Sequence, residues 1–236
     1  YISDQFAAAL VSSPVVRVMA VASRDAARAR QFAQRWGIPN PYAGYDALLA
    51  DPAIEAVYIG LPNSLHAEWA IRATQAGKHV LCEKPMATSA AQARRMREAA
   101  RRAAVVLLEA FPFHFQPQTL EVARRISAGD LGRIRYAQAS IGFTVTSPHS
   151  IRLQRELAGG ALLDAGCYPV SLARLVFGVR PARADAVAAQ GRTGIDETTV
   201  ATLAYPGGGL AQVACSIATS PHRTAVITGS EGVIDT

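Results

Sequence analysis

The sequence predicts a chain of two domains, a doubly wound α/β domain followed by an α+β domain. Over residues 16–108, short apolar runs alternate with helical patterns, as is typical of parallel strands that helices cover on both faces. Over residues 184–228, strand patterns follow one another with few helices between them, which indicates a largely antiparallel open sheet. A stretch rich in proline and aromatic residues, AFPFHFQPQ at 110–118, separates the two patterns. We therefore predict domains over residues 1–109 and 110–236.

The elements of the first domain follow from local signals. The opening segment, YISDQFAAALVSSP, has a helical pattern, Gly37 and Gly77 can each end a helix, and Ser89 can N-cap one. We predict a helix in this opening segment, further helices at about 25–36, 65–76 and 89–103, and strands at 16–22, 57–60, 79–82 and 105–108.

In the second domain, the PGGG stretch at 206–209 predicts a hairpin turn between two strands. We predict helices at 119–127 and 160–177, and strands at 133–143, 184–190, 198–205, 210–217 and 225–228. The final residues, GSEGVIDT at 229–236, stop where a further strand begins. We therefore expect this domain to be incomplete at its end.

One expected signal is missing from the first domain. A doubly wound domain that binds a dinucleotide carries a glycine-rich turn after its first strand, and no strand–turn–helix segment here has one. The opening segment resembles the helix that would follow such a turn. We therefore expect the first strand and its turn to be missing, through either a truncated record or a real loss.

Composition narrows the functional class. The chain has 236 residues, of which 50% are hydrophobic and 18% charged, as in ordinary globular proteins. No apolar run is long enough to span a bilayer, and the net charge of +6 comes mostly from arginines scattered over helix faces without a nucleic-acid-binding motif. Three widely spaced cysteines suit a reducing compartment. We predict a cytoplasmic protein with no metal, membrane or nucleic-acid partner.

Ligands of open α/β sheets bind beyond the carboxyl ends of the strands, and four stretches fall there. After the first predicted strand, Ser23 and Arg24 stand where an enzyme for NAD usually places an acid, and Arg28 follows one turn later. A hydroxyl and guanidinium groups suit a 2′-phosphate, so these residues predict NADP, with NAD possible. The alternative is that Ser23 only caps the helix and Arg24 is solvated.

The other three stretches follow later strands. GLPNSLH at 60–66 offers Leu61, Pro62, Asn63 and His66 as cofactor contacts, or else simple turn chemistry with a histidine near a helix start. Glu109 ends the last strand, where an ion pair at the domain junction is the favoured interpretation. Between them, HVLCEKPMATS at 79–89 ends a core strand with Glu83 and Lys84. Burying such a pair is costly unless the charges find partners, which points to a functional reason.

Two longer stretches identify a family. YDALLADPAIEAVYIGLPNSLHAEWAIRATQAGKHVLCEKPMA at 45–87 and GGALLDAGCYPVSLARLVFG at 159–178 resemble the Gfo/Idh/MocA oxidoreductases. Within that family the chain is most similar to the branch of dimeric dihydrodiol dehydrogenase, D-xylose dehydrogenase and glucose–fructose oxidoreductase. The likeness extends from Ser12 to the end, and the pairing of EKP with a distant GGALLDxGCY is highly specific.

The resemblance implies a Rossmann domain and a catalytic set. Lys84 would lie beside the nicotinamide and the reacting oxygen, where its charge can stabilise a developing alkoxide. Tyr168, at a position where many members have histidine, would act as general acid or base, helped by the lysine. Asp164 would orient one of these groups or a substrate hydroxyl. Arg152 is either a cofactor or substrate contact or a surface arginine.

The resemblance also implies the reaction. We expect NADP-dependent hydride transfer at a carbinol carbon of a sugar or a cyclic diol, in a homodimer or higher homo-oligomer formed through the sheet of the second domain. His114 and Gln116 replace an arginine and a histidine that are frequent in the family, which leaves substrate preference open. The alternatives are a non-catalytic dinucleotide-binding sensor of the same fold and an inactive gene remnant.

Overall fold

The computed structural model describes residues 2–236, which form two compact units. One unit comprises the residues up to Leu61 together with Leu65–Ala110, and the other comprises Pro62–Ser64 together with Phe111–Thr236. Each unit has its own sheets and its own buried core.

All strand pairs in the first unit are parallel, which confirms the predicted α/β class. Strand β1 pairs with β2 in one sheet, and β3, β4 and β5 form a second sheet in that order. The orders β2-β1 and β3-β4-β5 match the outer positions of a doubly wound sheet with the order 3-2-1-4-5-6. The strands are β1 (Ala20–Ser23), β2 (Asn40–Ala43), β3 (Ala56–Ile59), β4 (His79–Glu83) and β5 (Leu107–Ala110).

Helices alternate with these strands, and their ends follow the capping rules. The helices are α1 (Ile2–Leu10), α2 (Ala26–Trp36), α3 (Tyr45–Ala50), α4 (His66–Gln75) and α5 (Ala90–Ala103). Gly37 ends α2 in the left-handed conformation, with φ at 64°, and the Ser89 hydroxyl caps α5 by accepting a hydrogen bond from the Gln92 amide. The predicted helices are thus confirmed, with α1 among them.

Helix α1 connects the two sheets of the first unit. Phe6 stacks on Tyr58 of β3 with their ring centroids 3.8 Å apart. Asp4 accepts hydrogen bonds from Arg35 and Trp36 at the end of α2, and these bonds lower the pKa of the Asp4 carboxyl, Trp36 contributing most. Through these contacts α1 is fixed to α2 on one side and to β3 on the other.

Two elements of this unit were not predicted, and β1 was predicted too long. Strand β1 begins at Ala20, four residues later than expected, and Val15 and Val16 before it are exposed. Strand β2 contains Pro41, which argues against a strand in sequence analysis because proline lacks the ladder donor, but an edge strand tolerates it. Helix α3 has only six residues, too few for a clear periodic pattern.

The second unit is an α+β unit with a six-stranded sheet, as predicted. The strand order is β11-β10-β6-β9-β8-β7, and only the pair β6 and β9 is parallel. The strands are β6 (Ile134–Thr144), β7 (Arg183–Gln190), β8 (Asp196–Ala204), β9 (Leu210–Ser216), β10 (Ala218–Gly229) and β11 (Val233–Asp235), and the helices are α6 (Pro117–Ala128) and α7 (Cys167–Phe177). The hairpin turn is confirmed by Gly207 and Gly208, with φ at 87° and 88°.

Strand β10 begins earlier than predicted. Its first part contains Pro221, and its pairing with β6 is irregular between Ala218 and His222. Polar residues and a proline hid this part from sequence analysis. Strand β11 confirms that a further strand begins near the chain end.

The helices of the second unit cover one face of its sheet. A cross-strand row of Leu203, Ala211, Ala137 and Ile227 packs with Ala173 and Val176 of α7. Within residues 2–236, one helical stretch, Arg155–Phe177, is long and apolar enough by composition to cross a membrane. Its apolar residues are explained by this packing on the sheet, so it is not a membrane span.

Candidate active site

The carboxyl end of β4 is held by the carboxylate of Glu83. The Tyr58 hydroxyl donates to Glu83 Oε1 over 2.7 Å, and the Lys84 backbone amide donates to Glu83 Oε2 over 3.2 Å. Burial, and then the Glu83 carboxylate, raise the pKa of Tyr58 well above its ordinary value, so this hydroxyl stays a donor throughout the neutral range. The negative charge of Glu83 at this strand end therefore has hydrogen-bond donors as partners.

The turn that follows carries Lys84 and is held on both sides of Pro85. The Lys84–Pro85 peptide bond is cis. The Pro85 carbonyl faces His66 Nδ1 at 2.9 Å, and the Met86 amide donates to Glu109 Oε1 over 2.7 Å. Within the first unit, the Glu109 carboxylate is bound to the Met86 amide, and the ion pair at the domain junction stays a prediction.

His66 lies inside the first unit and connects two turns. Its side chain is fully buried, and its Nε2 faces the Leu61 carbonyl at 2.8 Å while its Nδ1 faces Pro85. Both ring nitrogens therefore face backbone carbonyls, and a nitrogen that carries a proton donates to the carbonyl that it faces. The structure places His66, which sequence analysis offered as a cofactor contact, behind the surface of the turn.

The stretch after Leu61 belongs to the second unit. Pro62–Ser64 groups with that unit, and Asn63–Leu65 form a single 3-10 turn. The Asn63 side-chain amide donates to the Ala158 carbonyl over 2.9 Å. Its amide nitrogen thus holds the loop before the GGALLD stretch.

The carboxyl end of β1 opens into a shallow pocket of the first unit. This pocket is lined by Ser23, Arg24, Asp25, Arg28 and Tyr45, so the structure brings together the three residues predicted to recognise a 2′-phosphate. Asp25, and not Ser23, is the N-cap of α2, since its carboxylate accepts from the amides of Ala27 and Arg28. The Ser23 hydroxyl instead accepts from the Asp25 amide at 3.2 Å.

The charges of this pocket leave its arginines accessible. The Arg28 side chain is 82% exposed and lies 3.6 Å from Asp25, and Arg24 is exposed. An exposed pair of this kind is weak, so both guanidinium groups can turn to an anion. The residues present therefore fit the phosphate of a dinucleotide.

In the second unit, Arg152 and Asp164 form an ion pair. Their Nε and Oδ2 atoms are 2.6 Å apart, and the side chains are 42% and 13% exposed. The guanidinium also lies over the Phe143 ring, 5.8 Å from its centroid. Arg152 therefore holds the carboxylate that sequence analysis placed in the catalytic set.

The segment that contains Asp164 is not an ordinary helix start. Residues Leu162–Gly166 form a π-helical turn before α7 begins at Cys167, whereas one continuous helix was predicted. Turns of this type occur frequently at functional sites. The turn places Asp164 one helical turn before Tyr168.

Asp196 of β8 anchors this turn, and sequence analysis missed it. Its Oδ2 accepts from the Leu162 amide over 2.7 Å and from the Thr199 hydroxyl over 2.8 Å. Gly160, with φ at 116°, lies so close that a Cβ there would be 2.1 Å from Asp196 Oδ1. The sequence contains one indirect sign of this contact. The start of the GGALLD stretch has no capping side chain of its own, so another element must supply one.

Tyr168 lies in the first turn of α7 against aromatic rings of the same unit. Its ring centroid is 4.9 Å from Phe111 and 6.3 Å from Phe113. Together with Phe113, Gln116 and Arg223 it lines a cavity of about 90 Å³. His114, which departs from the family pattern, packs edge-on against Phe111 with 5.1 Å between the ring centroids. Its side chain is therefore part of the same aromatic cluster.

The strand ends of the first unit concentrate negative charge near Lys84. Burial, and then the carboxylates of Glu109 and Glu83, raise the pKa of the Cys82 thiol to about 12. This thiol stays protonated and is therefore unreactive. The same carboxylates favour a positive charge nearby, such as the ammonium group of a lysine. Within residues 2–236, no group of three or more His, Cys, Asp or Glu side chains could hold a metal ion.

Two family models match the chain. Residues 1–111 match a model described as an oxidoreductase family with an NAD-binding Rossmann fold, and residues 119–235 match the GFO/IDH/MocA C-terminal domain. Together these matches cover nearly the whole sequence.

Curated relatives have dehydrogenase names. The chain is 39% identical over 241 residues to trans-1,2-dihydrobenzene-1,2-diol dehydrogenase of Xenopus laevis, covering 99% of this chain and 71% of that protein. It is 42% identical over 202 residues to D-xylose 1-dehydrogenase (NADP(+)) 2 of Haloferax volcanii, covering 85% of this chain and 62% of that protein. The chain also matches an oxidoreductase of Rhizobium meliloti, of which it covers 60%. It thus spans between 60% and 71% of the lengths of these three relatives.

A solved structure also matches. A 3-ketoreductase from Actinomadura kijaniata in complex with NADP superposes with a TM-score of 0.84 at 36% identity, covering 97% of this chain and 69% of that one. The same reductase was solved with a lysine replaced by alanine and with a tyrosine replaced by phenylalanine, and the two replaced positions are 84 apart. Lys84 and Tyr168 are separated by the same distance along this sequence.

Proposed function

Because the chain belongs to the GFO/IDH/MocA oxidoreductase family, we propose that it is an NADP-dependent dehydrogenase that acts on a carbinol carbon of a sugar or a cyclic diol. The observation that supports this most directly is the pair of Lys84 and Tyr168. They stand in the two family motifs, and their separation equals that of the lysine and tyrosine replaced in the reductase structures. A non-catalytic sensor would not need this pair.

The nicotinamide cofactor, when bound, supplies the hydride donor or acceptor. Tyr168 takes the hydroxyl proton during oxidation and returns it during reduction, as a general base and acid. Lys84 places its positive charge beside the substrate oxygen and favours the phenolate form of the tyrosine. Asp164, which is fixed by Arg152, orients Tyr168, Lys84 or a substrate hydroxyl.

The preference for NADP rests on the pocket at the end of β1. Ser23, Arg24 and Arg28 line it together, and two guanidinium groups and a hydroxyl complement a 2′-phosphate. Asp25 does not compete for the ribose diol, since its Oδ1 is bound to the amides at the start of α2. Leu61 and Glu83, at the neighbouring strand ends, complete the proposed cofactor side.

A second copy of the chain is the proposed partner. On the sheet face away from the helices, one row runs across five strands through Val187, Val200, Ala214, Ser140 and Thr224. This row has no charged residue, and Val187 and Val200 are 79% and 45% exposed. An uncharged, partly apolar row that is exposed in this way is a liability in a monomer, and a two-fold related copy would cover it. We place the protein in the cytoplasm.

The proposed function is tested by a dehydrogenase screen. The full-length protein is assayed with a panel of aldoses and cyclic diols against both NADP and NAD, following absorbance of the reduced nicotinamide. We expect turnover with at least one sugar or diol, and a higher kcat/KM for NADP than for NAD. Dinucleotide binding without any turnover would instead support a sensor.

A further inference from the structure

The turn that carries Lys84 is attached to both neighbouring strand ends through side chains. Glu109, at the end of β5, accepts a hydrogen bond from the Met86 amide over 2.7 Å. His66, which follows β3, contacts the Pro85 carbonyl at 2.9 Å. These two contacts fall on consecutive residues immediately after Lys84.

We infer that Glu109, assisted by His66, is the positioning residue for Lys84, an inference that rests on the proposed function. The Glu109 carboxylate fixes the chain at Met86, the His66 ring fixes it at Pro85, and Glu83 holds the Lys84 amide from the other side. The turn is thus held at three consecutive residues. None of these contacts uses the Lys84 ammonium, which leaves the contacts and the chemistry separable by mutation.

Chemistry gives a reason for this arrangement. A catalytic group must be held within a fraction of an ångström of its working position, and small displacements can reduce turnover greatly. The ladder that pairs β4 with β5 ends at Glu83, so side-chain contacts such as those of Glu109 and His66 help to hold the turn beyond it. A carboxylate–amide hydrogen bond is charge-assisted and stronger than a neutral one, so Glu109 suits this task.

The contact pattern also explains the residue types. Glutamine has the same reach and keeps an acceptor oxygen for the Met86 amide, so it retains the hydrogen bond in its weaker, neutral form. Methionine has a similar length but lacks the oxygen. His66 offers two ring nitrogens on opposite sides, which face Leu61 and Pro85 at once, and phenylalanine would keep the ring while losing both contacts.

The test compares Glu109→Met with Glu109→Gln in the full-length protein. Amide hydrogen exchange of the peptide that contains residues 84–88 is measured first, because it does not depend on activity. We expect faster exchange in Glu109→Met and in His66→Phe, and near-wild-type exchange in Glu109→Gln. Glu55→Met, a change at an exposed glutamate before β3, is the control and should leave this peptide unchanged. Unchanged exchange in Glu109→Met would overturn the inference.

Turnover then separates positioning from a general structural role. Glu109→Met should lower kcat by about tenfold or more while NADP affinity stays within about twofold, and Glu109→Gln should recover most of the loss. In the Lys84→Ala background the same substitution should add little, since the group that it positions is gone. An equal loss in both backgrounds would contradict the inference and leave the proposed function intact. A wild-type protein without turnover would refute the proposed function, and with it the catalytic purpose of the turn contacts.

Discussion

Arg152 and Asp164 form an ion pair in which 2.6 Å separates Nε from Oδ2. Asp164 is 13% exposed and Arg152 is 42% exposed, so the carboxylate is the member that depends on its partner. The pair joins the loop before the GGALLD stretch to the π-helical turn that leads to Tyr168. Loss of either member should therefore disturb the approach to Tyr168.

The energy of this pair can be measured by a double-mutant cycle. We expect Arg152→Met and Asp164→Asn each to lower the free energy of unfolding measured in urea. The coupling free energy between the two changes should lie at the low end of about 1.5–3 kcal/mol, because Arg152 is partly solvated. Arg155→Met, a change at an exposed arginine of the same loop, is the control. Additivity within about 0.5 kcal/mol would show that the pair makes no net contribution.

The pocket at the end of β1 predicts how cofactor choice can be changed. Arg24→Ala should weaken NADP binding by about 1–3 kcal/mol and NAD binding much less, since only NADP offers a 2′-phosphate to the lost guanidinium. Fluorescence titration with both cofactors measures the difference. Arg30→Ala, on α2 but outside the pocket, should change neither affinity. Equal weakening of both cofactors by Arg24→Ala would remove Arg24 from 2′-phosphate recognition.

The open face of the second sheet predicts self-association. Val200→Glu places a charge in the uncharged row, and in a dimer it would face another copy of itself or an apolar neighbour. We expect wild-type protein to be a dimer or larger at micromolar concentration and Val200→Glu to be shifted toward monomer, by light scattering. Glu197→Gln near the start of β8 serves as a charge-changing control. A wild-type monomer at that concentration would exclude this use of the face.

Surface ion pairs on α5 predict a dependence on acid and salt. Hydrogen bonds from Arg101, and then from Arg102, lower the pKa of Glu98 to about 2. A carboxyl whose folded pKa is lowered stabilises the protein above its unfolded pKa and loses that effect as pH falls through the folded pKa. The stability difference between wild type and Glu98→Gln should therefore be full at about pH 7 and shrink from about pH 5 toward pH 2.

Salt separates this effect from packing. The Glu98 pair is exposed, so about 1 M salt at neutral pH should shrink the same difference in urea midpoint. Glu55→Gln should show no comparable trend. A difference that persists in both acid and high salt would mean that Glu98 acts through its side-chain packing and not through its charge.

Much of the fold could be predicted from local patterns. The α/β alternation, the caps at Gly37 and Ser89, and the PGGG hairpin depend on residues close together in sequence, and all are present. What was missed depends on distant partners. Strand β2 tolerates Pro41 only because it lies at a sheet edge, and the early part of β10 is a strand because β6 pairs with it.

The candidate site shows the same division. Lys84, Tyr168 and Asp164 were accessible to sequence analysis because they stand in recognisable motifs. Asp196 and the contacts of Glu109 and His66 were not, since each depends on a backbone amide or carbonyl of another element. No residue pattern records which backbone group a buried carboxylate or imidazole will meet.

The central claim is that Lys84 and Tyr168 handle the substrate proton together. Lys84→Ala and Tyr168→Phe should each lower turnover by roughly a hundredfold or more, the usual scale for general acid–base catalysis. Since the proposed mechanism makes the two residues one proton-handling unit, the double variant should be little slower than the slower single variant. NADP affinity should be retained in Tyr168→Phe, since its hydroxyl serves the substrate.

The most direct measurement is therefore the turnover of Tyr168→Phe in the full-length enzyme, with NADP affinity measured on the same preparation. The account predicts a loss of turnover of about a hundredfold or more with NADP binding unchanged. Near-wild-type turnover in Tyr168→Phe would contradict the account and move the proton-handling role to Asp164 or His114.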